Sequence, residues 1–213
     1  IMVSAAGKEE YFTENDTEYV LGRMHRFDTV AIGPGMGRTE ETQKFIASLI
    51  TRYEGTIVAD ADALFAIAEK VELKNCPGQL ILTPHVGEFS KLTGLTAKDI
   101  ETHRIDFAVD FARKNQAVLV LKGAPTVVAL PDGRAWINPT GNPGMAAGGM
   151  GDTLTGIIAS LAGQGLGAEK AAVAGVYLHG YAGDVLKESA DDGYTASDLA
   201  CKLSEAKRRV VTE

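Results

Sequence analysis

Ala117-Val118-Leu119-Val120-Leu121-Lys122-Gly123 opens with an unbroken apolar run and closes on a lysine and a glycine. A short apolar run without polar alternation is what a strand covered on both faces requires. Such a strand belongs to a sheet sandwiched between helices, which sets the class as α/β. Toward the N-terminus, Phe27–Ile32, Thr56–Asp60 and Gln79–Thr83 read as further strands, separated by amphipathic stretches. Thr39 caps a helix running to about Arg52, with Glu40 and Glu41 in its first turn, where carboxylates suit the helix dipole. A short helix follows from Asp62, and Thr96-x-x-Asp99 resembles a capping box opening a helix to about Asn115. Toward the C-terminus, Thr126–Leu130 and Arg134–Asn138 flank Pro131-Asp132-Gly133, a hairpin signal. A Gly-rich loop over 141–151 follows, then helical segments at about 152–164, 168–188 and 196–209.

Alternating strands and helices predict a mostly parallel central sheet with helices on both faces, made mixed by the hairpin. No linker-like composition shift, repeat or low-complexity tract divides residues 1–213, so one domain is expected. Ile1-Met2-Val3 reads as a strand end with nothing before it, so the sequence is expected to start after an opening βα unit.

Lys and Arg number 21 and Asp and Glu 28, a net charge of −7. That balance argues against a nucleic-acid binder and against a polybasic membrane-surface protein. Apolar residues at 45% and charged residues at 23% are ordinary globular values and exclude wholesale disorder. No apolar run approaches the roughly 18 residues of a membrane span, and the start carries no basic-then-apolar leader. Cys76 and Cys201 are far apart and share no CxxC context. A disulfide framework or zinc site is therefore not expected, and a reducing cytoplasm is the simpler reading.

In open α/β sheets, ligands collect beyond the carboxyl ends of the strands. Four loops leave strand ends with unusual residues: 33–37, 83–88, 122–126 and 142–152. In the last, Gly148-Gly149-Met150-Gly151-Asp152 runs into an apolar helix. Glycines admit a ligand close to the backbone, and the first N–H groups of a helix are unpaired and positively biased. Gly149, Met150 and Gly151 thus form a candidate anion hole, with Asp152 as either a catalytic base or an N-cap. The pattern is neither a Walker A loop nor a GxGxxG fingerprint. Lys122 either reaches a nucleotide phosphate or points to solvent from its strand end. His85, with Glu88 three residues on, is either a ligand or acid/base group or a capping histidine. His25 and His103 are expected on the surface, and His179 in a structural hydrogen bond. Asp60 and Asp62 either face magnesium-bound phosphate through water or serve locally, Asp62 as a helix cap.

The loops together resemble one family. Ile32-Gly33-Pro34-Gly35-Met36-Gly37, Asp60-Ala61-Asp62-Ala63-Leu64, Leu82-Thr83-Pro84-His85-Val86-Gly87-Glu88-Phe89, Leu121-Lys122-Gly123-Ala124-Pro125-Thr126 and Asn138–Asp152 match the NAD(P)H-hydrate dehydratases in order and spacing. The Thr-Pro-His-x-Gly-Glu and Asn-Pro-Gly-Met stretches are the specific ones; a Gly-Gly-x-Gly-Asp turn is shared with sugar and vitamin kinases. The resemblance implies a ribokinase-like three-layer α/β/α fold. It implies dehydration of the S epimer of NADHX or NADPHX, driven by ADP (ATP in some relatives), with Mg2+ neutralising phosphate oxygens. It assigns Lys122, Gly123, Ala124, Pro125, Thr126 and Gly151 to the nucleotide, and Gly37, His85 and Asp152 to the hydrated nicotinamide. No protein side chain is expected to ligate the metal. It also implies a homo-oligomer, such as a tetramer, and no nucleic-acid or membrane partner. Met150 stands where relatives commonly carry a small residue in Gly-Gly-x-Gly-Asp, but its backbone N–H serves equally. Relatives have an opening βα unit whose alanine lines the substrate site, and no residue here corresponds to it. Two other functions share the anion hole: a small-molecule kinase of the same superfamily, and a nucleotide-binding module without catalysis. The loop around His85 separates the first of these from the dehydratase.

Overall fold

The computed structural model describes residues 10–189 and 193–212. The strand read at Ile1-Met2-Val3 lies outside them. All six other expected strands form one sheet in chain order: β1 (Thr29–Ile32), β2 (Thr56–Ala59), β3 (Leu80–Leu82), β4 (Val118–Leu121), β5 (Val127–Ala129) and β6 (Ala135–Ile137). β1 to β4 pair in parallel, and β5 alone runs the other way, pairing antiparallel with both β4 and β6. The mixed sheet follows from loop length. Parallel neighbours need a crossover helix, whereas Pro131-Asp132-Gly133 returns the chain directly.

Side chains alternate across the sheet and split the core in two. On one face Ile57, Ala59, Leu80, Leu82, Leu119 and Leu121 pack under α2 (Glu40–Arg52), α3 (Asp62–Lys70), α4 (Val86–Thr93), α5 (Ala97–Thr102) and α6 (Arg104–Asn115). On the other, Val58, Ile81, Val118, Val120 and Val128 meet Leu154 and Ile158 of α7 (Met150–Gly163) and Ala171, Ala172 and Val176 of α8 (Ala168–Lys187). α9 (Ala196–Thr212) lies against α8, and α1 (Thr17–Met24) against α2. The three-layer α/β/α arrangement is therefore present, and β4, apolar throughout, is buried at every position.

Several local expectations are corrected. The helix expected from Thr96 to about Asn115 is two helices, broken at His103 (φ −126°, ψ 39°). The break turns Arg104 inward, where it is only 9% exposed. Residues 86–88, expected as the end of the loop 83–88, open α4, which ends on the left-handed Gly94 (φ 75°). α1 is a further helix, too short for its periodicity to register. Among the described residues, no helix is long and apolar enough to cross a membrane, and both cysteines are free.

Candidate active site

The carboxyl ends of β1 to β4 and the N-terminus of α7 meet at one edge of the sheet. Lys122, one residue beyond β4, donates from Nζ to Asp60 Oδ1 at 2.7 Å. Asp60, at the end of β2, is 2% exposed, and its Oδ2 accepts from Thr155 Oγ1 of α7 at 3.1 Å. Glu88 of α4 adds a second, longer ion pair to Lys122 at 3.9 Å. Two strands and two helices thus converge on one ammonium group.

α7 begins at Met150, two residues earlier than expected, because Gly149 takes the left-handed conformation (φ 83°) and turns the chain into the helix. The N-cap is therefore Gly149, and Asp152 sits in the first turn, so the capping alternative for Asp152 falls away. Asp152 is exposed. Among the described residues, no backbone carbonyl accepts from the N–H groups of Gly149 or Gly151, and Met150 N–H reaches Ala147 O only at 3.5 Å. These are the orphan donors of a helix start, aimed where an anion is stabilised. Gly151 admits the cation: a Cβ there would lie 3.2 Å from Lys122 Nζ and 3.5 Å from Asp60 Oδ2.

A cavity of about 680 Å3 opens beside this turn. Its walls include Lys122, Gly123, Ala124, Pro125, Thr126, Met150 and Gly151, so the whole expected nucleotide set shares one chamber. The loop 138–146 forms the opposite wall and is held on α8. Asp184 accepts from Gly141 N–H and Asn142 Nδ2, each at 2.9 Å, and Thr140 Oγ1 donates to Tyr177 O at 3.0 Å. Gly180 lets this loop lie flat on the helix, since a Cβ there would meet Thr140 Oγ1 at 2.3 Å. A second cavity of about 700 Å3, walled by Trp136, Ile137, Val173, Tyr177 and Val210, is almost wholly apolar and holds no expected site residue.

Gly37, His85, Gly149 and Asp152 are not part of this chamber's walls; each is exposed at the same sheet edge. Asp62 ties down the Gly37 turn. It accepts from Gly37 N–H at 2.9 Å and from Arg38 Nε at 2.6 Å, while the Arg38 guanidinium lies 3.6 Å over the Phe65 ring. His85 is the N-cap of α4, so the capping alternative is what its main contacts show. Its Nδ1 accepts from Glu88 N–H at 3.2 Å, and Glu88 Oε2 accepts from His85 N–H at 2.8 Å. A backbone N–H can only donate, so Nδ1 is the acceptor and the neutral ring carries its proton on Nε2. The imidazole remains 60% exposed, with Nε2 3.5 Å from Glu88 Oε1. Capping and ligand contact are thus compatible, through different ring nitrogens.

His179 has its expected structural hydrogen bond, with the Met150 backbone, on one side of the ring only. It lines the chamber, and its buried Nε2 has no hydrogen-bond partner among the described residues. Burial pushes its pKa down to about 4, with the Lys122 charge adding to the effect and the Met150 backbone opposing it. His25 and His103 are exposed, as expected. Asp60 holds Lys122 and Thr155, and Asp62 holds Gly37 and Arg38; Asp62 is the first residue of α3 and not its cap, which is Ala61. Among the described residues, no group of three or more His, Cys, Asp or Glu is placed to hold a metal. The contributions of Thr155 and Arg104 were not anticipated, because a threonine or arginine inside a helix carries no local signature of a partner many residues away.

Comparison with known proteins gives a consistent picture. A family model described as NAD(P)H-hydrate dehydratase matches residues 2–205. The chain is 38% identical over 184 residues to the ADP-dependent (S)-NAD(P)H-hydrate dehydratase of Bacillus subtilis, covering 86% of this chain and 64% of that one. It is 52% identical over 166 residues to the bifunctional NAD(P)H-hydrate repair enzyme Nnr of Moorella thermoacetica, covering 78% of this chain and 31% of that one. A crystal structure of the ADP/ATP-dependent NAD(P)H-hydrate dehydratase from Bacillus subtilis, co-crystallised with ATP/Mg2+, superposes with a TM-score of 0.79 at 36% identity, over 85% of this chain and 64% of that one. The chain thus spans about a third of the length of the first bifunctional relative and just under two thirds of the single-function one.

Proposed function

Since this chain belongs to the NAD(P)H-hydrate dehydratase family, we propose that it acts as one ribokinase-like domain that dehydrates (6S)-NADHX or NADPHX at the expense of ADP. The products are NADH or NADPH, AMP and inorganic phosphate. The observation that carries the reading is the Lys122 ammonium lying beside Gly151 at the start of α7, in the same chamber as the loop 122–126. A cation, orphan N–H donors and a glycine-lined approach at one point are what a phosphate tail requires.

In this reading Lys122, Gly123, Ala124, Pro125, Thr126 and Gly151 hold the nucleotide, and Gly37, His85 and Asp152 face the hydrated nicotinamide. Asp152 accepts the proton of the ring hydroxyl as that oxygen attacks the terminal phosphoryl group and AMP leaves. The N–H groups of Gly149, Met150 and Gly151 stabilise the charge on the transferring phosphoryl. Phosphorylation turns the hydroxyl into a good leaving group. The ring nitrogen lone pair expels it as phosphate, and loss of the neighbouring ring proton restores the dihydropyridine. The chain mainly orients and neutralises, which suits a loose phosphoryl-transfer transition state. Magnesium bound with the nucleotide would offset phosphate charge beside Lys122; the Asp60 and Asp62 carboxylates are engaged with Lys122, Thr155, Gly37 and Arg38. His85, fixed as a donor at Nε2, suits an acceptor atom of the substrate better than a proton to be removed.

The partners in this reading are small molecules. The net charge of −7 gives no support to nucleic-acid binding, and the free cysteines support a cytoplasmic setting. Trp136 and Ile137, about half exposed on β6, are apolar surface of the kind a homo-oligomer covers. Incubation with NADHX, ADP and Mg2+ tests the function directly, with NADH absorbance rising as AMP and phosphate form in equal amounts. Asp152→Asn is expected to lower kcat by about 100-fold or more while ADP still binds. Normal turnover by that variant would remove the base assignment.

A further inference from the structure

We infer that Arg104 is a positioning residue for the adenine nucleotide: it sets the backbone of the loop 122–126 and thereby the affinity for ADP. The inference rests on the nucleotide-binding reading of that loop. Arg104 lies on the far side of β4 from α7, at the first position of α6, directly after the helix break at His103. Its Nη1 donates to the carbonyls of Leu121 at 3.3 Å and Lys122 at 3.2 Å, the last of β4 and the first of the loop. Its Nη2 and Nε donate to Glu101 Oε2 at 2.7 and 3.3 Å, which fixes the plane of the guanidinium. The same group lies flush against Gly123, where a Cβ would stand 2.5 Å from Nη2. The loop closes on itself beyond that point, Thr126 Oγ1 donating to Gly123 O at 3.1 Å.

Lys122 is therefore clamped at both ends. Arg104 holds its carbonyl, and Asp60 holds its ammonium. A buried guanidinium is an expensive way to fill space, because the cation loses its hydration there and an aliphatic side chain would pack without that loss. Glu101 is half exposed and returns only part of it. What an aliphatic residue cannot supply is a planar guanidinium whose Nη1 donates to two successive carbonyls while Glu101 fixes its plane against the glycine after them. The next backbone groups along, those of Gly123 to Thr126, line the chamber.

ADP binding by calorimetry and steady-state kinetics on wild type, Arg104→Met, Arg104→Lys and Glu101→Gln decide the matter. Arg104→Met is expected to raise the Kd and KM for ADP about tenfold, with kcat at saturating ADP and KM for NADHX within about twofold of wild type. Arg104→Lys should recover part of the loss, since an ammonium reaches one carbonyl but lacks the planar guanidinium. Glu101→Gln, which leaves the carbonyl contacts in place, should bind ADP within about twofold of wild type. A purely structural residue would lower melting temperature and kcat together without singling out ADP. Cooperatively melting Arg104→Met with wild-type ADP affinity overturns the inference. If that variant does not fold, wild-type ADP affinity in Arg104→Lys overturns it instead. Wild type that binds ADP without dehydrating NADHX defeats the catalytic reading and leaves this comparison standing on Kd. Wild type that binds no adenine nucleotide defeats both.

Discussion

Lys122 and Asp60, 62 positions apart in sequence, form an ion pair of 2.7 Å at the point where β2 and β4 end and α7 begins. Asp60 is almost fully buried, whereas the Lys122 side chain keeps 19% of its surface. The pair thus presents a fixed cation toward the chamber with its counter-charge hidden behind it. Breaking a buried pair by removing one partner leaves the other charge uncompensated. Asp60→Asn is expected to destabilise the fold by about 3 kcal/mol, lowering Tm by roughly 6–12 °C. Adding Lys122→Met should return at least half of that loss while ADP affinity stays low. Thermal melting of the two variants checks this, and a double variant less stable than Asp60→Asn alone would show that the pair is not the cause.

Gly151→Ala separates binding from stability. Alanine is the better helix former by about 1 kcal/mol, so Tm is expected to hold or rise. The added Cβ meets Lys122 Nζ at 3.2 Å and must displace it. ADP affinity is therefore expected to fall about tenfold, as when one charge-assisted contact is lost. Calorimetric titration with ADP provides the test; unchanged affinity would take Lys122 out of the phosphate site.

The two nitrogens of His85 make different contacts, so two substitutions divide its roles. Glutamine carries an N–H donor near the Nε2 position, whereas asparagine keeps the α4 cap but stops short of the substrate. His85→Gln is expected to retain kcat/KM for NADHX within about tenfold, at the cost of a degree or two in Tm. His85→Asn should melt like wild type and lose about 100-fold or more. The reverse order of activities would mean that the ring acts as an acceptor.

His179 links stability to pH. Its folded pKa is depressed to about 4 from an ordinary value near 6.5, so the unfolded chain binds more protons between those limits. The contribution of the neutral ring to stability is complete above about pH 6.5 and is lost as pH falls toward 4, on the order of 3 kcal/mol over the window. His179→Gln should flatten this part of the curve and leave the acid response of the carboxylates. Melting curves from pH 7 to 4.5 on both proteins provide the check, with parallel curves as the contrary outcome.

The strands were legible because each is a short apolar run bounded by Gly, Pro or a polar turn, and β4 announced burial on both faces by having no polar position. α2 was legible through its Thr39 cap, which accepts from Thr42 N–H at 3.1 Å. α4 was hidden because its cap is a histidine following Pro84, a pattern that reads as loop. The break at His103 was hidden because Arg104 turns inward to carbonyls of a strand that follows it in sequence.

By itself, the amino-acid order determined the class of fold, the order of the elements and the loops that meet at the sheet edge, because periodicity, caps and turn residues act over a few positions. It also supplied Lys122, Asp152 and the glycines as candidates, since their types and spacing are local. Only tertiary structure decided that Asp60 and Thr155 serve Lys122, that Arg104 grips the loop from behind, and that the His179 Nε2 is buried without a hydrogen-bond partner. Those contacts join residues from 17 to 95 positions apart. Hydrogen bonds and ion pairs act over a few ångströms in space, so a side chain gives no sign of its partner until the sheet and its helices bring the two together.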